Sequence, residues 1–539
     1  MSCAAKGCRL VSRRWRGRPT VTICTRARNK KHRCVLLAKD YMRLKRSRTS
    51  SPFLLWCMTL LAHSAISQTT SSTPKLSAAL EPLIRTDAPV VALTHVTLFD
   101  GTGSPPEHDR TIVLDHGRIA SVGPSTSATI PPDAQILDES DKTVLPGLVG
   151  MHEHMFYISA GGGSDHLILA TEQAESAPRL YLAAGITTAR TTGSIEPVTD
   201  LAIKAAIDKG AQTGPDLDVT GPYLDGAGTF IAQNQPINGP DDARETVNYW
   251  SKRGITSFKA YMFIKPADLK AAIEEAHSHN AKITGHLCSV GFTEAIEMGI
   301  DNLEHGLIVD TEFDPQKNPG VCPARCPNSL QALLVLDVHG PQLQRLIHSM
   351  ISHHVALTST LAVYENCDAD EPPFGTLSQT RAALSTVSWA DFLTLKGLLG
   401  KRPRAGETDT VIALLHKEME FEREFVRQGG LLMAGCDPTG LGGVVAGYGD
   451  QREMELLVQA GFLPAEAVAI FSSHGVQYLG RQNSIGTLAP GMQADLLLLN
   501  GDFEHDASAI RRPEIVFKKG VGWDSAKLQA SVAGLAGQR

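Results

Sequence analysis

The chain lacks several features that define other protein classes. It has no internal repeat of solenoid type. Its N-terminal apolar run, PFLLWCMTLLA, is too short to span a bilayer comfortably. Basic residues are also scarce after residue 67. Of 51 Lys+Arg and 57 Asp+Glu, the first 67 residues hold 16 basic residues and one acidic residue, which leaves 35 basic and 56 acidic residues, a net charge of −21. This acidic body argues against nucleic-acid binding, which requires a basic face.

The length and the composition are those of a soluble globular protein. Apolar residues make up 42% and charged residues 20% of the 539 residues. This length exceeds one simple domain but fits an enlarged barrel with a small companion.

The N-terminal region has the organisation of a targeting sequence. Residues 42–67 combine a basic start, the apolar run and small residues, which is typical of a signal peptide cleaved after Ala65 or Ser67. Residues 1–41 form a doubtful basic extension before it, and the Ser/Thr-rich residues 68–87 are expected to be a flexible leader. We therefore expect an exported protein, periplasmic or secreted, with no stable membrane anchor after cleavage. A basic organelle-targeting or membrane-anchoring head is the alternative.

Cysteine is sparse in the expected mature chain. Five of the ten cysteines precede residue 68, and an exported protein would meet oxidising conditions. Cys322 and Cys326 in CPARC are expected in a loop, where they could pair with each other or with Cys367. A zinc knuckle is the alternative, although no second ligand pair follows. Cys288 and Cys436 are expected to be small buried side chains.

Strand-like and helix-like segments alternate through residues 148–480. This alternation favours a parallel sheet with helical crossovers. Eight strands, the number that a closed (β/α)8 barrel needs, can be drawn. They are VLPGLVGMH, GITTARTT, DLDVTGPYL, TSFKAYM, KITGHL, NLEHG, VALTSTLAVY and LLMAGCD.

Six candidate metal ligands follow the apolar runs of these strands. The carboxyl ends of barrel strands converge on one mouth, so the six side chains are expected to meet there. Alternate residues of a strand share a face, which points both histidines of the HEH motif into the mouth. Imidazole and carboxylate groups bind zinc or a similar divalent ion. The six residues are His152, His154, Lys259, His286, His305 and Asp437.

This set of motifs resembles the amidohydrolase superfamily of metal-dependent hydrolases over about residues 88–520. The HxH after a Pro-Gly-Leu strand, the lysine on strand 4, the histidines on strands 5 and 6 and the aspartate on strand 8 follow that superfamily's order. The resemblance implies an α/β fold, a (β/α)8 TIM barrel at 148–480. A small composite β-sandwich would form from 88–147 and 481–524. Gly150 departs from the pattern, because members often carry Asp there.

The motifs point to two branches of the superfamily. LEHG, the TGP turn and GTLAPGMQADLLLL are similar to the branch of imidazolonepropionase and Xaa-Pro dipeptidases. SFKAYM is closer to hydantoinase and dihydropyrimidinase. The expected substrate is therefore a small amide, a short peptide or a cyclic amide, and oligomerisation stays open, with a homo-oligomer as one option.

The resemblance also implies a mechanism. Two Zn²⁺ ions would be bridged by a carboxylated Lys259, and Asp437 would shuttle the proton of the attacking water. The other ligands would be divided, with His152, His154 and Asp437 on one ion and His286 and His305 on the second. The alternatives are a mononuclear cyclic-amide hydrolase in which Lys259 is not carboxylated, and a non-catalytic binding protein that retains the fold.

Four further residues are candidates for substrate contact. Tyr261 lies two residues after the lysine and on the same face, where it could donate a hydrogen bond to the developing oxyanion. Tyr223, at the end of the third strand, could act similarly, and packing is the alternative for both tyrosines. Arg190 and His166 are candidates for binding a substrate carboxylate.

Overall fold

The computed structural model describes residues 75–159, 169–229, 231–323, 331–365, 377–399, 407–439 and 444–538. The expected signal peptide, His166, Cys326 and Cys367 lie outside these ranges. Within them, no helix combines the length and apolar character needed to cross a membrane.

Nineteen strands run through the described residues. Six precede the barrel: β1 (Ile84–Thr86), β2 (Val90–Leu98), β3 (Glu107–Asp115), β4 (Arg118–Pro124), β5 (Gln135–Asp138) and β6 (Thr143–Pro146). The next ten are the eight barrel strands and the hairpin β8–β9: β7 (Leu148–Glu153), β8 (Phe156–Ser159), β9 (Leu169–Glu172), β10 (Ile186–Thr191), β11 (Asp216–Leu224), β12 (Ser257–Ala260), β13 (Lys282–Gly285), β14 (Asn302–Glu304), β15 (Ala356–Ser359) and β16 (Leu432–Ala434). Three close the series: β17 (Leu496–Leu499), β18 (Pro513–Lys518) and β19 (Val521–Asp524).

The N- and C-terminal strands interleave in one sheet. Its order is β1-β19-β18-β17-β6-β2-β3-β4, with β5 beside β2. Strand β17 lies antiparallel between β18 and β6. Its Leu497 and Leu499 join the barrel core, whereas Leu496 and Leu498 join the core of the sheet domain. This alternation of side chains lets one leucine run serve both cores, and the expected composite β-domain is confirmed.

The segment expected to be a flexible leader is partly ordered. Residues Ala78–Leu83 form a 3-10 helix that buries Leu80, and β1 then pairs antiparallel with β19. The burial of Leu80 and this pairing correct the expectation for residues 75–87.

Eight parallel strands form the barrel, in the order β16-β15-β14-β13-β12-β11-β10-β7. Just after β16, the backbone N–H of Asp437 donates to the carbonyl of His152 on β7 at 3.0 Å, which links the last strand to the first. The expected TIM barrel is therefore confirmed. Strands β13, β14 and β16 end before His286, His305 and Asp437, so these three side chains lie on the turns at the mouth.

Helices connect the strands. Five of them start with proline, whose fixed φ suits the first helical turn, at Pro197, Pro240, Pro266, Pro341 and Pro464. The helices are α1 (Ser176–Ala183), α2 (Pro197–Asp208), α3 (Pro240–Ser251), α4 (Pro266–Ser278), α5 (Phe292–Met298), α6 (Pro341–Ser352), α7 (Leu361–Glu365), α8 (Leu377–Ala383), α9 (Thr386–Leu399), α10 (Glu407–Arg427), α11 (Tyr448–Gln459), α12 (Pro464–Ala469), α13 (Gly475–Leu479) and α14 (Ser525–Ala530).

The seventh strand is shorter than the sequence predicts. Its apolar run continues to Tyr364, but the strand ends at Ser359 and α7 follows. The buried carboxylate of Glu453 accepts a hydrogen bond from the N–H of Ala362 at 2.7 Å. An acceptor at the start of α7 satisfies a first-turn donor and favours the helix.

Candidate active site

Three of the six candidate ligands form a close set. His152 lies on β7, His154 follows directly after the strand ends at Glu153, and both side chains are buried. Asp437 Oδ1 lies 2.9 Å from His154 Nε2 and 3.5 Å from His152 Nε2. One donor atom from each residue lies within 4.8 Å of the others. Two imidazole nitrogens and a carboxylate oxygen in this arrangement fit a zinc-like ion.

The other three candidates adjoin this set. Lys259 Nζ lies 2.9 Å from His152 Nε2. His305 Nε2 is buried without a hydrogen-bond partner among the described residues and lies 4.0 Å from Asp437 Oδ2, whereas its Nδ1 bonds the Thr360 hydroxyl at 2.7 Å. A buried nitrogen left free in this way suits a metal ligand. The ring of His286 lies 4.4 Å from that of His305. The mouth therefore brings all six candidates together.

Two of these residues have left-handed backbones. His305 has φ 70° and Asp437 has φ 49°. This region is sparsely populated by residues other than glycine, and such residues are frequent at functional sites. The N–H of Thr439 donates to the Asp437 carbonyl at 2.7 Å, which closes a tight turn around the carboxylate.

Burial sets the charge states of the site. It lowers the pKa of His154 to about 4 and, together with the charge of Lys259, the pKa of His286 to about 3, so both imidazoles are neutral near pH 7. Burial alone would raise the pKa of Asp437, but its contacts with the neighbouring histidines lower it well below its usual value. Burial also lowers the pKa of Lys259 to about 8. Lys259 is therefore mostly protonated near pH 7, while the histidines and Asp437 offer the lone pairs and the anion that a cation site requires.

The sequence interpretation missed Glu304, which binds the Nδ1 atom of His152. Its fully buried carboxylate accepts hydrogen bonds from His152 Nδ1 at 2.8 Å, Arg190 Nη2 at 2.7 Å and Asn302 Nδ2 at 2.7 Å. The Thr284 hydroxyl donates to the same carboxylate. A carboxylate on Nδ1 fixes the tautomer that leaves Nε2 free for a metal. The available signal was an acidic residue in a segment expected to be a buried strand, directly before the candidate ligand His305.

Arg190 does not occupy the position expected of a substrate-binding residue. Its side chain is fully buried, and Nε and Nη2 donate to the carbonyl of Met151 at 2.9 and 2.6 Å. Because the same guanidinium pairs with Glu304, it lies behind the ligands rather than in the open mouth. The expectation that it binds a substrate carboxylate was therefore wrong.

A second buried group explains the glycine where related sequences often carry aspartate. The thiol of Cys436 contacts carboxylate oxygens of Glu153 at 3.5 Å and Asp450 at 3.3 Å. A Cβ on Gly150 would collide with the Glu153 carboxylate. Burial and the Asp450 carboxyl raise the pKa of Glu153 well above its usual value. A neutral Glu153 side chain thus fills the space that a side chain at position 150 would need.

The two candidate tyrosines line one side of the mouth. Tyr223 is buried, with its ring centroid 5.4 Å from Lys259 Nζ and 4.9 Å from the ring of Tyr261. The ring of Tyr261 lies 5.0 Å from that of His286. Burial raises the pKa of both hydroxyls, so each remains a hydrogen-bond donor. Phe156, on the unpredicted hairpin β8–β9, continues this wall with its ring 4.6 Å from that of His154.

The cysteines pair differently from the expectation. Cys322 forms a disulfide with Cys288, across a sequence separation of 34 residues. Cys288 is therefore not an unpaired packing residue, and Cys322 forms a disulfide with neither Cys326 nor Cys367. Cys436 is free and buried, as expected. The disulfide ties the loop after β14 to the turn that carries His286.

Comparisons with known proteins agree with this geometry. The chain resembles a Bifidobacterium longum protein assigned as a prolidase (24% identity, TM-score 0.57, covering 82% of this chain and 98% of the other). It also resembles a Xaa-Pro dipeptidase with bound methionine (17% identity, TM-score 0.59, covering 81% of this chain and 100% of the other). A third similar structure is bottromycin amidohydrolase (19% identity, TM-score 0.61, covering 86% of this chain and 96% of the other). These likenesses show the fold. No curated protein matches the chain. The profile of the amidohydrolase family matches residues 143–523. The chain therefore belongs to the amidohydrolase family and is a hydrolase acting on C–N bonds.

Proposed function

We propose that the protein is a metal-dependent amidohydrolase whose first ion is held by His152, His154 and Asp437. The observation that carries the proposal is the convergence of their donor atoms within 4.8 Å at the barrel mouth. The free, buried Nε2 of His305 beside Asp437 is further support. We propose His286 and His305 as ligands of a second ion.

The division of chemical roles follows from the positions of the side chains. A divalent ion supplies Lewis acidity, which polarises a carbonyl and lowers the pKa of water. Asp437, anionic and partly exposed, accepts the proton of the attacking water and delivers it to the leaving nitrogen. Tyr261, a protonated phenol beside His286, donates a hydrogen bond to the carbonyl oxygen as charge develops there.

We further propose that Lys259 is carboxylated and bridges the two ions. Its amine is buried and lies 2.9 Å from His152 Nε2, and burial lowers its pKa to about 8, so a fraction of the amine is neutral near pH 7. Addition of carbon dioxide to the neutral amine, with loss of one proton, converts it to an anionic carbamate. This change would supply the negative charge that two divalent ions require.

We propose small amides and short peptides as substrates, with Xaa-Pro dipeptides first. Two structural neighbours are a prolidase-like protein and a Xaa-Pro dipeptidase, and another is described as an ochratoxinase. A panel of Xaa-Pro dipeptides, N-acyl amino acids and cyclic amides therefore tests the substrate class. Hydrolysis of one set, lost on zinc removal and restored by zinc, is the expected result. Activity that survives complete removal of divalent metal would contradict the proposed function.

We also propose that the protein is exported. The Cys288–Cys322 disulfide supports this proposal, because such bonds persist in oxidising compartments. Cleavage after Ala65 or Ser67 would leave a mature chain that starts at Ile66 or Gln68. Intact mass of the natively expressed protein measures this, and a product that retains the basic N-terminal region would contradict export by this route.

A further inference from the structure

The C-terminal segment Gly534–Gln538, here called the strap, lies between two loops of the barrel mouth. One is the hairpin β8–β9, inserted after β7. The other is the insertion after β15 that carries α8 and α9. Ala536 is buried, and with His154, Phe156 and Pro438 it lines a small cavity of about 10 Å³. The strap therefore reaches the back of the metal-binding wall.

The side chain of Gln173 fastens the strap to the hairpin. Gln173 Oε1 accepts from the N–H of Gly537 at 2.8 Å, and Nε2 donates to the Gly537 carbonyl at 3.1 Å. The backbone N–H of Gln173 donates to the Met155 carbonyl at 2.6 Å, which closes the base of the hairpin. The hairpin in turn meets the turn after Asp437, since the N–H of Ile158 donates to the Thr439 carbonyl at 2.6 Å.

The opposite edge of the strap binds the insertion. The N–H groups of Gly534 and Ala536 donate to the carbonyls of Ala382 and Ala383 at 2.7 and 3.0 Å. The N–H of Ser385 donates to the Ala536 carbonyl at 2.8 Å, and the Ser388 hydroxyl accepts from the N–H of Gln538 at 2.8 Å. The strap is thus hydrogen-bonded to both loops, and a shift of either loop would break these bonds.

We propose that Gln173 and Gly537 are positioning residues for the substrate pocket. Their paired hydrogen bonds hold Phe156 against His154 and fix the hairpin relative to the insertion. Loops at the mouth of a TIM barrel bind substrate, whereas the strand ends hold the catalytic groups. Loss of the strap should therefore weaken substrate binding and leave the metal site in place. This inference rests on the proposed hydrolase function for its kinetic readout.

Gly537 and Gly534 provide a matched pair of test positions. Both have left-handed backbones, with φ 89° and 69°. A Cβ on Gly537 would collide with Ser388, whereas a Cβ on Gly534 meets nothing within 4 Å. Gly537→Ala therefore disturbs the strap contact, and Gly534→Ala controls for the backbone strain. Gln173→Met, which removes the amide at similar size, is an independent second variant.

Steady-state kinetics, metal content and hydrogen exchange are measured on the metal-loaded full chain. Gly537→Ala and Gln173→Met should lower kcat/KM by about 10-fold, mostly through KM, since small misplacements of binding groups are costly. Metal content should not change, and amides of the hairpin and of α8 should exchange faster. An unchanged KM in folded Gly537→Ala, or the same rise in Gly534→Ala, would overturn the inference. If no substrate is hydrolysed, the proposed function fails, but hydrogen exchange still tests the positioning role. Unchanged exchange in both Gly537→Ala and Gln173→Met overturns that role.

Discussion

Replacing Glu304 with glutamine tests whether the residue that supports His152 contributes to the stability of the protein and to the proposed zinc binding. Glu304 pairs with Arg190 Nη2 at 2.7 Å and with His152 Nδ1 at 2.8 Å, and all three side chains are fully buried. An amide retains one acceptor oxygen and replaces the other with a donor. Whichever way the amide turns, an NH2 faces either the guanidinium or the imidazole N–H.

Both consequences can be given a magnitude. An NH2 facing Arg190 leaves a buried cation without its anion, and breaking a buried ion pair costs about 3–5 kcal/mol. An NH2 facing His152 favours the tautomer that protonates Nε2, the atom that lies towards Lys259 and Asp437. Loss of such support typically weakens metal affinity by about 10–100-fold. We therefore expect Glu304→Gln to lower both the stability of the metal-free protein and its affinity for zinc.

Glu418→Gln is the matched control. Glu418 is also buried, but it accepts a backbone N–H, that of Ile308 at 2.8 Å. Burial raises the pKa of Glu418 to about 8, so its carboxyl is mostly neutral at pH 7 and an amide resembles it closely. Competition with a chelator gives the zinc Kd, and thermal unfolding of the metal-free proteins gives the stability. If Glu304→Gln matched Glu418→Gln in both measurements, the support assigned to Glu304 would be refuted.

Four further variants test the proposed ligands and the disulfide. Lys259→Ala should reduce the metal content from about two ions per chain to about one by elemental analysis, with loss of activity; an unchanged content would leave the bridge without support. Asp437→Asn should keep most of its metal while kcat falls by about 10²–10⁴-fold, the usual contribution of a general acid–base group, and a near-normal kcat at full metal loading would reassign the proton shuttle. His152→Ala should instead lose metal first, with activity partly recovered at high zinc concentration. Cys322→Ser, which opens the link to Cys288 across 34 residues, should lower the free energy of unfolding by about 3–4 kcal/mol in denaturant titrations, and unchanged stability would exclude that link.

The barrel and the meeting of the six candidate ligands at its mouth were predictable because their signals are local. Each barrel strand lies in a short strand-like segment of the sequence, and each candidate ligand lies at or just after the end of one. The parallel arrangement then brings distant residues such as His152 and Asp437 together without any knowledge of side-chain contacts. The ends of the strands were less predictable, since α7 begins where Glu453, about 90 residues later in the chain, accepts the N–H of Ala362.

The parts that were not predictable depend on pairs of residues far apart in sequence. Glu304 needs Arg190, 114 residues earlier, to be buried as an anion. That same pairing removes the guanidinium from the substrate side, so one missed residue produced one wrong assignment. The Cys288–Cys322 disulfide likewise requires the loop after β14 to fold back on the turn after β13. A single sequence carries no signal for such pairings beyond residue type.

The left-handed backbones of His305 and Asp437 explain how two consecutive residues at one strand end can both take part in the site. Neighbouring residues on an extended strand point to opposite faces, so Glu304 and His305 should diverge if β14 continued. Glu304 points inward to His152, and the backbone of His305, at φ 70°, turns so that its imidazole also reaches the mouth. Cys436 and Asp437 repeat this arrangement after β16, where φ 49° separates a thiol bonded to Glu153 from a carboxylate on His154. A left-handed non-glycine residue costs about 1–3 kcal/mol. The same geometry at both turns indicates that the strain is retained because it lets two consecutive residues serve different layers, one buried behind the site and one in the mouth.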